Sequence, residues 1–177
     1  HCLSSAASDV YKRQDYYFYN NIDTLVVGVS GGIDSAVVST LCAETGLPTY
    51  VITMPLDSKK ENTELSNLHA KELDEKYENV EILDIDLSGV FHTLISTIGL
   101  QTSKEGYTYN RDLITNEHSN ANTKSRLRMV TLYQIAGSVG GIVVGTGNKV
   151  EDYGVGFYTK YGDCLLYTSD AADDKQC

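Results

Sequence analysis

Residues 30–35 read Ser-Gly-Gly-Ile-Asp-Ser, with two hydroxyls and a carboxylate set around a pair of glycines. Hydroxyls and main-chain N–H groups suit a pyrophosphate, and residues without Cβ let the backbone approach it closely. A carboxylate in the same turn would repel that anion unless a cation lay between them. Asp34 therefore implies Mg²⁺, a hard ion that prefers a few carboxylates plus phosphate oxygens. Two other phosphate motifs do not fit. The Walker loop needs GxxxxGK[ST], whose lysine is missing, and Gly28-Val29-Ser30-Gly31 lacks the spacing of GxGxxG.

The neighbouring segments say how such a turn would be held. Leu25–Val29 is a short apolar, β-rich run, the pattern of a strand buried on both faces of a parallel sheet. Asp34 opens an amphipathic stretch over residues 35–44 that reads as a helix. Strand, glycine turn and helix start form an anion site, because the first amides of a helix have no partner within it. Gly46 ends the helix in the C′ role and Pro48 blocks its continuation. Residues 49–54 are a second strand. Ser58 is expected to cap a helix over 59–77, with Glu61 completing a capping box and Leu65, Leu68, Ala70, Leu73 and Tyr77 as the apolar stripe. Residues 80–85 make a third strand. Ser88 is expected to cap 89–98, with Val90, Phe91, Leu94, Ile95 and Ile98 facing inward. Residues 100–115 read as a polar, irregular loop, 116–139 as the longest helix, ended by Gly140-Gly141, and 142–145 as a fourth strand.

Repeated β-α-β units predict an α/β fold, a doubly wound parallel sheet with helices on both faces. Its ligand belongs beyond the carboxyl ends of the strands, near the switch in strand order. The Ser30 turn and Thr146 both lie at such ends.

Composition narrows the partners. The chain has 177 residues, with 24 acidic against 14 basic side chains and a net charge of −10. No cluster of Lys and Arg forms a patch, which argues against nucleic acid as a partner. No apolar run approaches membrane-spanning length, and no signal-peptide pattern is present, so a cytoplasmic setting is expected. Cys42 reads as a small buried apolar residue. His69, His92 and His118 fall on separate segments without ligand spacing.

The hexapeptide resembles the pyrophosphatase loop of the N-type ATP pyrophosphatases, enzymes of the adenine nucleotide alpha hydrolase-like fold. Residues 46–56 (GLPTYVITMPL), 122–133 (NTKSRLRMVTLY), 145–148 (GTGN) and 151–163 (EDYGVGFYTKYGD) resemble, within that group, the synthetase domain of the NAD synthetase family. That resemblance implies amidation of deamido-NAD: ATP adenylylates the nicotinate carboxylate, pyrophosphate leaves, and ammonia displaces AMP. It implies that Gly28, Val29, Ser30, Gly31, Gly32, Ile33, Asp34, Ser35 and Thr146 contact ATP. Asp34 and Glu151 would hold Mg²⁺, Arg126 and Lys160 would contact deamido-NAD, and Asp163 would lie near the reacting amide. The long helix, apolar almost all round, would be covered by a second copy in a homodimer. Arg128 receives no role beyond a surface ion pair. Many family members carry arginine where Thr53 stands, so main-chain groups of residues 51–54 are the expected adenine contacts. A GMP synthetase-like pyrophosphatase and a non-catalytic nucleotide-binding module are the competing readings. The TKYGD stretch counts against the first and the metal carboxylate against the second.

The ends differ in character. Residues 1–14 and 164–177 lack a hydrophobic period and resemble translated sequencing-adaptor reads. On that reading the family-like domain spans 15–163 and is truncated at its C-terminal side.

Overall fold

The computed structural model describes residues 22–103, 106–147, 159 and 161–162. In chain order the elements are β1 (Leu25–Val29), α1 (Ile33–Glu44), β2 (Thr49–Thr53), α2 (Lys60–Lys76), β3 (Val80–Asp84) and α3 (Ser88–Gly99). A hairpin of β4 (Leu100–Ser103) and β5 (Gly106–Tyr109) follows, then a 3-10 turn (Arg111–Leu113), α4 (Glu117–Val139) and β6 (Ile142–Val143). The main sheet is parallel and four-stranded, in the order β3-β2-β1-β6. The chain winds from β1 out to β3 and then returns to the other side of β1. The switch in strand order therefore falls between β1 and β6.

Residue alternation along β1 builds both halves of the core. Leu25, Val27 and Val29 pack on one face with Cys42 and Ala43 of α1 and Ala70 and Leu73 of α2. Val26 packs on the other with Phe91 of α3 and Leu132 and Ala136 of α4. In β2, Val51 and Ile52 divide the same way. A period of two with apolar residues at every position is what burial on both faces requires. The doubly wound α/β fold expected from the sequence is the one observed.

The ends of α1 and α4 follow their glycines. Gly46 stands just past α1 at φ +75°, and Gly140 caps α4 in the left-handed region at φ +64°. Asn116 caps the start of α4, accepting a hydrogen bond from the Ser119 amide at 2.9 Å. Among the described residues, no helix is long and apolar enough to cross a membrane.

Several local expectations are corrected. Ser58 does not cap α2, which starts after Lys59 with no side-chain cap. Its hydroxyl instead accepts from the Leu56 amide and from Arg128 Nη2, each at 3.3 Å. Ser88 is the first residue of α3 rather than its cap. Asp86 accepts from the Ser88 amide at 2.8 Å, and the Ser88 hydroxyl accepts from the Asp57 amide at 3.3 Å. In α2 the core side is Ser66, Ala70 and Leu73, while Leu65 and Leu68 are exposed. Small side chains let that helix lie close to the sheet, which turns the larger leucines outward. In α3, Phe91 is buried but Val90, Leu94 and Ile98 are exposed. Residues 100–109 pair as a hairpin, with Leu100 opposite Tyr109 and Thr102 opposite Tyr107. β-branched and aromatic residues favour strands, a preference that outweighed the segment's polarity.

Ile52 is fully buried between the sheet and the α3–α4 layer. Ile52→Ala is expected to lower unfolding stability by about 2–5 kcal/mol. Urea denaturation checks this, and a loss too small to measure would show that the α3–α4 layer is not a packed core.

Candidate active site

The turn after β1 is a local structure with its own fastenings. Ser35 Oγ donates to the Gly32 carbonyl at 2.9 Å, accepts from the Ser30 amide at 3.2 Å, and lies 3.2 Å from Ser30 Oγ. Ser30 Oγ also accepts from the Gly32 amide at 3.3 Å. Both amide-to-hydroxyl contacts are longer than the usual optimum, so a stronger acceptor could replace the hydroxyls. Helix α1 begins at Ile33 with no side-chain cap from Gly32. Its first-turn amides, at the positive end of the helix dipole, are thus turned toward an external acceptor.

Gly31 is the residue on which this shape rests. It sits at φ +85°, and a Cβ there would fall 2.5 Å from the Asn62 carbonyl oxygen on α2. Gly28, still within β1, is confined by Met54 and Leu132, whose methyl carbons would lie 3.2 and 3.3 Å from an added Cβ. Gly31 is thus required both by its backbone conformation and by space against fixed backbone, whereas Gly28 is crowded only by the ends of two flexible side chains.

The turn opens into a cavity of about 490 Å³, a size typical of small-ligand sites. Gly28, Val29, Ser30, Gly32, Asp34 and Ser35 line one side of it, and Thr146 and Gly147 stand across the switch point. Leu25 pairs with Ile142 and Val26 with Val143; the same offset carried forward sets Thr146 level with Val29. Gly31 supports the turn from behind, and Ile33 is exposed outside the cavity lining. Asp34 is exposed and is one of the residues lining the cavity. An exposed carboxylate beside uncapped amides fits a hard divalent ion shared with a phosphate.

The remaining expected residues divide. Arg126 is exposed and is not among the residues lining the cavity. Glu151, Lys160 and Asp163 lie outside the described residues. Thr53 is buried and donates to Asp84 Oδ1 at 2.7 Å, so its side chain serves the sheet rather than a base. The carbonyls of Thr53, Met54 and Pro55 already accept from the Ile85 amide, Arg128 Nε and the Leu87 amide. Main-chain recognition of adenine there would have to share those acceptors.

Arg128 is the residue that sequence reasoning undervalued. It is half-buried, lines the cavity, and donates from Nε to the Met54 carbonyl at 3.1 Å and from Nη2 to Ser58 Oγ at 3.3 Å. One turn earlier, Lys124 Nζ lies 2.9 Å from Asp57 Oδ2 and 4.7 Å from the centre of the Phe91 ring. Lys124 and Arg128 are four apart, so one face of α4 holds the whole turn after β2. That spacing, on the side of the helix that also buries Leu132, was the available signal. Asp57 in this turn has φ +49°.

This arrangement is a nucleotide-type site at the switch point of a doubly wound sheet. The family model described as NAD synthase matches residues 12–167, and the chain belongs to that family. The NH(3)-dependent NAD(+) synthetase of Mycoplasma genitalium is 35% identical over 150 residues, covering 84% of this chain and 54% of the relative. That of Carboxydothermus hydrogenoformans is 35% identical over 144 residues, covering 81% and 53%. Among solved structures, NMN synthetase from Francisella tularensis superposes with a TM-score of 0.76 at 27% identity, covering 92% of this chain and 61% of that one. NH3-dependent NAD synthetase from Campylobacter jejuni, in complex with nitrate, gives 0.74 at 28% identity, covering 92% and 63%. The chain thus spans about half the length of the curated relatives it matches.

Two expectations follow from this geometry. Gly31→Ala should destabilise the fold and disturb the cavity, whereas Gly32→Ala should be much milder, since its nearest neighbour to an added Cβ is Ser30 Oγ at 3.4 Å. Parallel urea melts and nucleotide titrations of the two variants check the contrast; equal effects would remove the Asn62 contact as the cause.

The second concerns pH. The hydrogen bond from Lys124, with a smaller one from His92, holds the Asp57 carboxyl below its ordinary range against the opposing effect of burial. A depressed folded-state value adds stability above the unfolded pKa of about 3.9, lost as pH falls through the folded value. The stability gap between wild type and Asp57→Asn should therefore narrow on acidification below about pH 4. A gap constant from neutral to strongly acid pH would show that the Lys124 contact contributes nothing.

Proposed function

We propose that this chain carries the ATP-binding part of an ammonia-dependent NAD synthetase. The observation that carries this reading is the meeting of the Ser30 turn, Asp34 and Thr146 in one cavity at the β1–β6 switch point. The relatives that match by sequence bear that activity in their names.

A carboxylate is a poor acyl electrophile, and a mixed anhydride with AMP is a good one. The nicotinate carboxylate of deamido-NAD would attack the α-phosphorus of ATP. The bond to the β-phosphate would break and pyrophosphate leave. Ammonia would then attack the acyl carbon, AMP would depart, and the nitrogen would lose a proton to give the amide. The protein's part is alignment and charge stabilisation. The turn from Gly28 to Ser35 grips the β- and γ-phosphates with amides and hydroxyls, and Thr146 closes the site from the far strand. Asp34 and Glu151 would hold Mg²⁺, which when bound would supply positive charge against the developing pyrophosphate. Arg126 and Lys160 would contact deamido-NAD, and Asp163 would lie near the amide. Val130 and Tyr133, on the same side of α4 as Arg126, are 66% and 53% exposed. That apolar surface supports a homodimer packed across α4, with Arg126 reaching a ligand at the interface. With this chemistry the enzyme belongs in the cytoplasm.

The test is pyrophosphate release. In a chain extended to the relatives' length, release is expected to require ATP, Mg²⁺ and deamido-NAD together. Asp34→Asn should cut turnover at least a hundredfold, to roughly the scale lost with a key charge-stabilising group, while leaving the fold intact. Release driven by xanthosine monophosphate or nicotinate mononucleotide in place of deamido-NAD would redirect the assignment to another amidating enzyme.

A further inference from the structure

Arg128 is a guanidinium with more donors than its protein partners use. It carries five N–H bonds in a planar fork. Nε and Nη2, which share one edge of the fork, are taken by the Met54 carbonyl and Ser58 Oγ. The other three N–H bonds have no acceptor among the described residues, and the side chain lines the cavity. Burial also pulls the group's pKa below its ordinary value. A cation partly removed from water, held rigid along one edge and open along the other, is suited to a bidentate anion.

The register of the sheet says where that anion would lie. Val29 of β1 stands opposite Thr53 of β2, so Ser30, which begins the phosphate turn, is level with Met54, which anchors Arg128. Adjacent strands are about 4.8 Å apart. The guanidinium is thus fixed to a backbone position one strand over from the turn, on the β2 side. The cavity continues from the turn to Met54, Pro55, Ser58 and Arg128 on that side, which leaves room there for the next phosphate of a chain whose outer end is seated in the turn.

We propose that Arg128 grips the α-phosphate of ATP, the group joining the nucleoside to the pyrophosphate held by the Ser30 turn. This rests on the reading of the cavity as an ATP site. Ser58 and the Met54 carbonyl are then positioning groups: they aim the fork, and Ser58 acts only through Arg128. As pyrophosphate departs, negative charge shifts between the α- and β-phosphates, and a fixed cation at the α-phosphate stabilises it without having to reorganise.

Titration calorimetry on this chain, with magnesium-ATP and with magnesium-pyrophosphate as separate ligands, tests the assignment. Circular dichroism melts monitor the fold. Arg128→Gln is expected to weaken ATP by about tenfold or more, the scale of a lost charged hydrogen bond, while pyrophosphate binding is little changed. Arg128→Lys, which keeps the charge but not the fork, should fall between, and Ser58→Ala should show the same selectivity in weaker form. If Arg128→Gln lowers ATP and pyrophosphate equally, or if neither changes, the residue is only a brace for the turn after β2 and the proposal is overturned. If that variant unfolds, the ratio of the two affinities in Arg128→Lys and Ser58→Ala decides in the same way. If wild type binds pyrophosphate and ATP but the variants lose neither, this inference alone falls. If wild type binds neither, the ATP-site reading falls and takes this one with it.

Discussion

The contact between Gly31 and the Asn62 carbonyl governs how the chain can leave β1. A strand buried on both faces must release its chain between two helical layers, and here α2 crowds the exit. Only a residue without a side chain, at positive φ, passes there. Once past it, the chain enters α1 with its first amides aimed into the cavity. The shape of the turn is therefore a by-product of packing: the same closeness that fixes α2 against the sheet bends the turn around the cavity. Ser35, buried beneath, fastens it with a hydroxyl that serves the backbone first.

Charge in this molecule is arranged locally against its overall sign. A chain of net charge −10 is a poor partner for a polyanion at long range, yet it lines one cavity with a serine- and glycine-rich turn and a half-buried arginine. At short range, oriented dipoles count for more than net charge. The face of α4 that carries Lys124 and Arg128 is important here because it ties the turn after β2 to the helix on the opposite layer. One wall of the cavity is thereby set by the same helix that supplies its apolar floor through Met129 and Leu132.

Much of this was legible beforehand, because it depends on short-range pattern. The alternation of apolar residues in β1, the Gly46-Leu47-Pro48 stop and the Gly140-Gly141 end of α4 each encode a backbone conformation within a few residues. The order of such elements in turn constrains a parallel sheet with right-handed crossovers. The errors fell where a side chain had two possible partners. The Ser58 hydroxyl accepts from Arg128, distant in sequence, and the Ser88 hydroxyl from the Asp57 amide, so neither caps the helix that follows it. The expected stripe of α2 holds at Ala70 and Leu73 and fails at Leu65 and Leu68, because close packing on the sheet favoured the small Ser66 beside Ala70 over larger leucines.

By itself, then, the order of residues determined the strand–turn–helix, the glycines that permit it, the carboxylate it contains and the family to which the chain belongs. All of these are local in the chain. Only the tertiary structure decided that Gly31 lies against Asn62, that Thr146 stands level with Val29, and that Arg128 belongs to the cavity while Arg126 does not. Each of those depends on which helix face meets the sheet and in what register. Side-chain volumes from remote segments settle that together, and no short stretch of sequence contains them all.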